Sequence, residues 1–424
     1  MSVDEPDSFE NVELPVWARE EAFPAAGEGY GWLDRKGRTH ISASGEELSN
    51  TIRGDKDSAV NLVWTPASRY CRVPEEIEAF EEAISEVRKR WAADDLAEAR
   101  HRMKWFGLGL AALLGYMIFQ ALASLAGLER SSGVAMHRLA EARWIIKVIL
   151  SSTTVGMALL GFLIFAFIPW YQAQKRMREI RRLGERSAPV IPLIRFETWL
   201  EAQKAPVTWC ILGMISLDFI AQVYFDKSIF GFHGSINHAG LEKVAYKGGE
   251  YWRLFTAPML HGGIIHFVLN SLALLYLGKR VEVFARWPHV AMVFLFSALV
   301  GGVASARFYP DKISVGASGG LMGWLGFLIV FESLHSMLVP RSAKRRLVGG
   351  VAMTALIGLV GYNFIDNAAH FGGLLAGMAY AGIVFPKSGS VMRPRMTATD
   401  QIIGMGSMAV LAGSGIFAVL RMAA

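Results

Sequence analysis

Cysteine and charge are both scarce in this chain of 424 residues. Its two cysteines, Cys71 and Cys210, are too few for a disulfide framework or a cysteine-ligated zinc site. Charged residues make up 19% of the sequence, against about 25% in soluble domains. The acidic N-terminus is not followed by an apolar signal region, so we expect no cleavable signal peptide.

Apolar residues are correspondingly abundant. They make up 53% of the chain, and the mean hydropathy is +0.32. Largely apolar runs near the length of a membrane span recur too often for a single soluble core. The composition therefore predicts a polytopic membrane protein. The net charge of +6 is modest, and its pattern does not indicate nucleic acid as a partner.

Nine segments are predicted to cross the membrane. They are residues 106–127, 145–169, 207–225, 263–278, 288–307, 316–338, 347–364, 367–385 and 402–420. The third is the weakest, because it is short and carries Asp218. Residues 1–104 are predicted to be a cytoplasmic soluble region, with a β-type run at Val60–Trp64 and an amphipathic helix after Pro74.

Basic clusters orient these spans. With nine spans, five clusters fall on one side of the membrane, and the positive-inside rule makes that side cytoplasmic. The clusters are Arg100, Arg102 and Lys104; Lys175, Arg176, Arg178, Arg181, Arg182 and Arg186; Lys279, Arg280 and Arg286; Arg341, Lys344, Arg345 and Arg346; and Lys387, Arg393 and Arg395. The loop at 128–144, with Arg130, Arg138 and Arg143, is discordant.

Polar residues inside spans are costly and often functional. Lys147 and Glu332 lie toward span ends, where we expect their side chains to reach the interface. His266 and Asn270 share one helix face in the fourth span, four residues apart. Ser318 opens the sixth span and His370 lies one turn into the eighth.

The last four of these residues are predicted to meet. Their spans enter from the outer side, which places Ser318, His370 and His266 within roughly 5 Å of one depth. Glycines at helical spacing would let the sixth and eighth spans approach closely. These glycines are Gly319, Gly323 and Gly326 in one span and Gly373 and Gly377 in the other. Taken alone, the glycines favour generic membrane-helix packing; together with Ser318 and His370 they favour the functional interpretation.

Serine and histidine at one depth suggest nucleophilic catalysis. Neutral His370 would take the proton from Ser318, and an oxyanion site would use the Ser318 amide with the His266 and Asn270 side chains. Gly316 would let the backbone approach closely. Asp366, four residues before His370, is expected to cap the helix. The sequence therefore predicts a Ser–His dyad without a third carboxylate.

From about 207 to 386 the chain resembles the rhomboid intramembrane serine proteases. Gly316-Ala317-Ser318-Gly319 resembles the G-x-S-G motif of that family, and His266 with Asn270 resembles its H-x-x-x-N. Ala369-His370 with Gly373 and Gly377 resembles A-H-x-x-G-x-x-x-G. Glu250, Trp252, Arg253 and His261 resemble its outer-loop tryptophan–arginine motif and additional histidine.

The resemblance implies an all-α polytopic membrane protein with a six-helix core at 207–386. Two extra spans (105–170) and a basic cytoplasmic linker (171–206) would precede the core, after the small soluble α+β region. A linker and one extra span (387–424) would follow it. Ser318 would be the nucleophile and His370 the base, and the loop with Trp252 and Arg253 would lie half-inserted beside the bundle.

The implied substrates are transmembrane segments of other membrane proteins, cut near the outer face, with lipid as the surroundings. No cofactor or metal is implied, and a homo-oligomer is left open. A bacterial plasma membrane with a cytoplasmic N-terminus is the expected location.

One departure concerns Met322. Some rhomboids carry an aromatic residue there that stacks on the histidine, whereas a thioether is expected to hold the ring less firmly. A catalytically silent relative that binds transmembrane helices is the main alternative. Such relatives typically lack the serine or histidine, whereas this chain has both. A transporter would need polar groups near the midplane, or an internal repeat, and neither is seen in the sequence.

Overall fold

The structure is a computed structural model that describes residues 13–132, 137–183 and 191–424. The acidic N-terminus at 1–12 and Arg186 of the basic linker lie outside the described residues. Clustering of contacts gives two compact units. Of the described residues, one unit comprises 24–132, 137–183, 191 and 352–365, and the other comprises 13–23, 192–351 and 366–424.

A three-stranded antiparallel sheet begins the first unit. Its strands are β1 (Tyr30–Asp34), β2 (Thr39–Ser42) and β3 (Val60–Trp64), in the order β2-β1-β3. Helix α1 (Gly45–Gly54) connects β2 to β3 and begins at Ser44, whose hydroxyl accepts the Glu47 N–H. The β3 strand is the one predicted from the sequence.

A single helix, α2 (Glu81–Ser132), runs for 52 residues from this sheet through the first predicted span. Near its start Phe80, Ala83 and Ile84 pack on Leu48 and Val63. The amphipathic segment and the first apolar segment, predicted as separate elements, are therefore one continuous helix.

The second predicted span is broken where the sequence suggested continuity. Helix α3 (Arg138–Ser151) ends at Ser151, and α4 (Thr153–Phe162) starts after Ser152, whose hydroxyl accepts the Val155 N–H. A π-helical turn at Leu163–Phe167 joins α4 to α5 (Ile168–Leu183). The span predicted at 145–169 was wrong at its start, because Ser152 caps a new helix there.

The second unit is almost entirely helical. The helices from residue 191 onward are α6 (Ile191–Ala202), α7 (Pro206–Asp226), α8 (His233–Ala239), α9 (Lys243–Lys247), α10 (Arg253–Thr256), α11 (Ile264–Ala285), α12 (Trp287–Phe308), α13 (Ser318–Leu334), α14 (Arg341–Val360), α15 (Asn367–Val384) and α16 (Ala398–Ala423). Of these, Ile191 of α6 and residues 352–360 of α14 are grouped with the first unit. Helices α8 to α10 are short and belong to the predicted outer loop at 226–262.

Within the described residues, six helices are long and apolar enough to cross a membrane. They are Glu78–Leu128, Thr154–Arg182, Pro206–Asp226, Ile264–Ala285, Trp287–Phe308 and Ala398–Ala423. The other three predicted spans coincide with α13, which is apolar but has only 17 residues, α14 and α15. The chain is thus a helical multi-pass membrane protein with a small N-terminal sheet.

Glycines bring α13 and α15 into backbone contact. A Cβ on Gly373 would overlap the Gly319 carbonyl oxygen, and one on Gly377 would overlap the Gly323 carbonyl oxygen. On the other side of α15, a Cβ on Gly372 would lie 2.8 Å from the Ala304 Cβ of α12. Only residues without a side chain allow helices to pack this closely.

Glu332 does not reach the interface, so that expectation was wrong. Its carboxylate is buried in the protein and accepts two hydrogen bonds from the buried Arg280 of α11, at 2.5 Å from Nε and 2.9 Å from Nη2. Arg280, counted above in a cytoplasmic basic cluster, is therefore an internal ion-pair partner. The bidentate geometry ties α11 to α13.

Replacing Glu332 with alanine would leave the Arg280 guanidinium buried without its carboxylate. We expect Glu332→Ala to lower the free energy of unfolding by about 3–5 kcal/mol. The control is Glu197→Ala, which removes the partner of Arg346 in a partly exposed pair and should cost about 0–1 kcal/mol. Reversible unfolding in mixed micelles measures both, and equal losses would contradict this prediction.

The α13–α15 contact predicts opposite outcomes for two glycines of α15. Gly377→Ala forces the helices apart and should lower the free energy of unfolding by about 1–3 kcal/mol. Gly382→Ala is the matched control, since a Cβ there meets nothing within 4 Å, and alanine favours the helix by up to about 1 kcal/mol. Thermal unfolding in detergent compares the two variants. Similar unfolding midpoints would contradict a close α13–α15 contact at Gly377.

Candidate functional site

Ser318 is the first residue of α13, and the segment before it is held in an unusual conformation. Gly316 has a φ of 124°, which side-chain-bearing residues rarely adopt. Its N–H donates to the Ala257 carbonyl oxygen at 2.9 Å. The chain therefore enters α13 against the end of the outer loop, with the Ser318 side chain half-buried.

His370 lies in the first turn of α15 and meets this serine. Its Nε2 is 2.8 Å from the Ser318 Oγ. The other ring nitrogen, Nδ1, is buried and has no hydrogen-bond partner in the part of the chain that the structure describes. The α13–α15 contact at Gly319 and Gly373 sets this distance, because each glycine lies within three residues of the serine or the histidine.

Asp366 does not complete a triad. Its Oδ1 accepts the Ala369 N–H at 2.9 Å, which caps α15. Its Oδ2 accepts hydrogen bonds from the hydroxyls of Ser305 and Ser314. These donors engage both oxygens, and none of them belongs to the His370 ring.

His266 and Asn270 lie beside Gly316, two residues before Ser318. A Cβ on Gly316 would be 2.6 Å from His266 Cε1 and 3.5 Å from Asn270 Nδ2. The Gly262 N–H donates to His266 Nδ1 at 3.2 Å, so the neutral ring carries its proton on Nε2, the nitrogen near Gly316. Asn270 Nδ2 is buried and without a partner among the described residues. Two donors thus face the approach to the serine.

His261 is fully buried behind this group. Its backbone N–H and carbonyl are both bonded to the Gln222 side chain of α7, at 2.8 and 3.0 Å. Its ring centroid lies 5.2 Å from that of His266. Burial holds the pKa of His261 well below its ordinary value, and His266 adds to this effect. A neutral His261 therefore packs against His266 as a support.

The residues of the predicted tryptophan–arginine motif contact one another and the backbone of the outer loop. The buried Arg253 donates to Glu250 Oε2 at 2.6 Å and to the Gly240 carbonyl oxygen at 2.7 Å. Its guanidinium carbon lies 4.6 Å from the Trp252 ring centroid. Glu250, Trp252 and Arg253 therefore have contacts within the outer loop itself.

Sequence reasoning missed the part that α16 plays at this loop. Phe417 packs edge-on to Trp252 with centroids 5.3 Å apart, and the Arg421 guanidinium lies 5.1 Å from the same ring. Ala418 and Met422 share a buried cluster with Leu260. Phe417 and Arg421, four residues apart, were the sequence signal that could have predicted this contact. No comparable pattern in the sequence indicated the bonds between Gln222 and His261.

Met322 is buried in α13, one turn after the serine. No aromatic ring stacks on His370 among the described residues. The histidine is therefore held by its bond to Ser318 and by the capped helix that carries it. The described residues also contain no group of three or more histidine, cysteine or acidic side chains suited to a metal ion.

Part of the chain is similar to known proteins. The family model for the Rhomboid domain matches residues 248–387. RHOMBOID-like protein 6, mitochondrial, of Arabidopsis thaliana is 37% identical over 152 residues, which cover 35% of this chain and 48% of that protein. Rhomboid protease GluP of Bacillus subtilis is 37% identical over 147 residues, or 34% of this chain and 28% of GluP.

A third relative is Inactive rhomboid protein 2 of Homo sapiens. It is 30% identical over 175 residues, which cover 40% of this chain and 20% of that protein. The chain thus spans less than half the length of each of these three curated relatives. Residues 248–387 contain Ser318, His266, His370 and the outer-loop motif, and this domain of the chain belongs to the rhomboid family.

Proposed function

We propose that the chain is an intramembrane serine endopeptidase that uses a Ser318–His370 dyad. The observation that carries the proposal is the 2.8 Å hydrogen bond between His370 Nε2 and Ser318 Oγ, at the near ends of two helices in backbone contact. This distance is within the reach that a general base needs to take the proton from a nucleophile.

The reaction follows from these positions. Ser318 Oγ attacks the carbonyl carbon of the scissile peptide while His370 Nε2 takes the hydroxyl proton. The negative oxygen of the tetrahedral intermediate is stabilised by the Ser318 N–H, His266 Nε2–H and Asn270 Nδ2–H. His370 then gives its proton to the leaving amine, and water hydrolyses the acyl-enzyme by the same steps. The unpartnered Asn270 amide supports this role, because a buried donor without an acceptor is costly unless a ligand supplies one.

The second candidate is a catalytically silent member that binds transmembrane helices. The relative described as an inactive rhomboid is the observation that favours it. Against it stand the hydrogen bond between Ser318 and His370 and the two side-chain donors, His266 and Asn270, beside Gly316. A binding-only protein has no need of a nucleophile bonded to a base, so hydrolysis remains our proposal.

The substrates in this proposal are transmembrane segments of membrane proteins, cut near the outer membrane face. We place the chain in a bacterial plasma membrane, with lipid around the core and the N-terminus in the cytoplasm. The matched plant protein carries a mitochondrial name and GluP is bacterial, so the family occurs in both kinds of membrane. No cofactor enters the mechanism.

Removing either dyad side chain should abolish hydrolysis. We expect Ser318→Ala and His370→Ala each to lower kcat by about 10³-fold or more, since the dyad acts as a unit. Cleavage of a model single-span substrate in liposomes measures this loss. Ser333→Ala, on the same helix α13 but exposed, is the control and should keep wild-type kcat.

A fluorophosphonate probe tests the nucleophile without a substrate. It should label the wild type and Ser333→Ala but not Ser318→Ala. Wild-type turnover in either dyad variant would disprove the assignment, and a wild type that neither cleaves nor reacts with the probe would favour the silent alternative.

The proposed sidedness predicts the labelling of single cysteines in a chain without Cys71 and Cys210. Asp311→Cys, in the loop before Ser318, should react with a membrane-impermeant maleimide in intact cells. Ser388→Cys, after α15, should react only after permeabilisation, because the basic clusters hold that side in the cytoplasm. The reverse pattern would invert the topology.

A further inference from the structure

Lys243 is a fully buried lysine in the outer loop that the mechanism above does not use. It is the first residue of α9, two residues after Leu241, which pairs with Ser314 through two backbone hydrogen bonds of 2.9 and 3.1 Å. Its Nζ donates to the Lys312 carbonyl oxygen and to the Ser314 Oγ. The lysine therefore binds the segment that leads into α13.

Ser314 connects Lys243 to the start of α15. Its hydroxyl accepts from Lys243 and donates to Asp366 Oδ2, the oxygen that also accepts from Ser305 of α12. The two serine oxygens are 2.8 Å apart. We call these four residues, Lys243, Ser305, Ser314 and Asp366, the lysine network. It joins the outer loop, α12, the approach to α13 and the start of α15.

The spacing of the network along the chain matches the dyad. Ser314 precedes Ser318 by four residues, and Asp366 precedes His370 by four. One hydrogen bond, from Ser314 to Asp366, therefore joins the two chain segments just before the nucleophile and the base. A change in its length moves the start of both helices and with them the distance between Ser318 Oγ and His370 Nε2.

The charges around Lys243 fit this role. Burial lowers the pKa of Lys243 to about 8, while the carboxylates of Asp366 and Glu242 oppose that shift. The ammonium is thus charged at neutral pH. Glu242 is committed elsewhere, since it caps α9 by accepting the Val244 and Ala245 N–H groups. Asp366 is the carboxylate that Lys243 reaches, through the Ser314 hydroxyl.

We propose that Lys243, acting through Ser314 and Asp366, is a positioning residue that holds Ser318 and His370 at reactive distance. This inference rests on the proposed protease function. It gives the outer loop an indirect part in catalysis, through the geometry of the dyad. Lys243 touches neither the substrate nor the reacting atoms, so its effect is on the geometry of the dyad.

The test compares the wild type with the Lys243→Met variant in kcat per active site. Active sites are counted by titration with a fluorophosphonate, so that loss of folded protein is not mistaken for loss of rate. We expect Lys243→Met to lower kcat by about 10- to 100-fold, the scale of a small misplacement of reacting groups. KM should stay within about twofold, because the lysine is not in the proposed substrate contacts. The rate of Ser318 labelling should fall in parallel.

Lys247→Met is the matched control, on the same short helix but exposed, and should keep wild-type kcat. Asp366→Asn should lower kcat as Lys243→Met does. The double variant should be no slower than the slower single variant, because both act on one network. If the two losses of kcat multiplied in the double variant, the coupling would be overturned. A wild-type kcat and a wild-type labelling rate in Lys243→Met would overturn it as well.

A second variant keeps the test decisive if Lys243→Met does not fold. Ser314→Ala removes one hydroxyl from the middle of the network and should still lower kcat per active site by about 3- to 10-fold, with KM unchanged. An unchanged kcat in Ser314→Ala would then overturn the proposal. An active wild type with active network variants disproves only this inference, whereas a wild type without activity or Ser318 labelling disproves the proposed function as well.

Discussion

Helices in a bilayer gain little by hiding apolar surface, because lipid tails are as apolar as leucine side chains. Close packing of two helices then requires that their backbones approach one another. In this protein the contact of α13 with α15 depends on glycines whose missing side chains admit a carbonyl oxygen of the other helix. The hydrogen bond between Ser318 and His370 follows from that approach, as does the place of α12 against both helices.

Polar contacts then fix the helices in register. The Arg280–Glu332 pair joins α11 to α13 at one end of the core. The serine and aspartate bonds of the lysine network join α12, α13 and α15 near the dyad. In a low-dielectric interior such bonds are strong when every group is satisfied. Asn270 Nδ2 is buried without an acceptor among the described residues, as the proposed oxyanion site requires.

Local patterns in the sequence predicted much of this arrangement. Apolar length gave helices at each predicted span, and the glycine spacing indicated the α13–α15 contact. The spacing of Ser318, His370, His266 and Asn270 on spans of one sidedness brought these residues to one site. Each of these signals lies within a single segment, where the period of the helix determines which residues share a face.

Contacts between distant segments left no such signal. Glu332 was expected at the interface, because the guanidinium that binds its carboxylate belongs to Arg280, which lies 52 positions away in the sequence. Lys243 and Ser314 are 71 positions apart, and the loop that brings them together has no periodic pattern. The break at Ser152 did leave a local signal, the polar run Ser151-Ser152-Thr153-Thr154, but the apolar segments on both sides led us to expect one continuous span.

The uninterrupted helix α2 has a mechanical consequence. Residues 106–127 suffice to cross the hydrocarbon, so residues 81–105 continue the same rod for roughly 37 Å at the rise of an α-helix. The sheet packs at the far end of that rod through Phe80 and Ile84. Its height and its rotation about the helix axis are thereby tied to the first span. Each inserted residue would turn the sheet by about 100° around that axis.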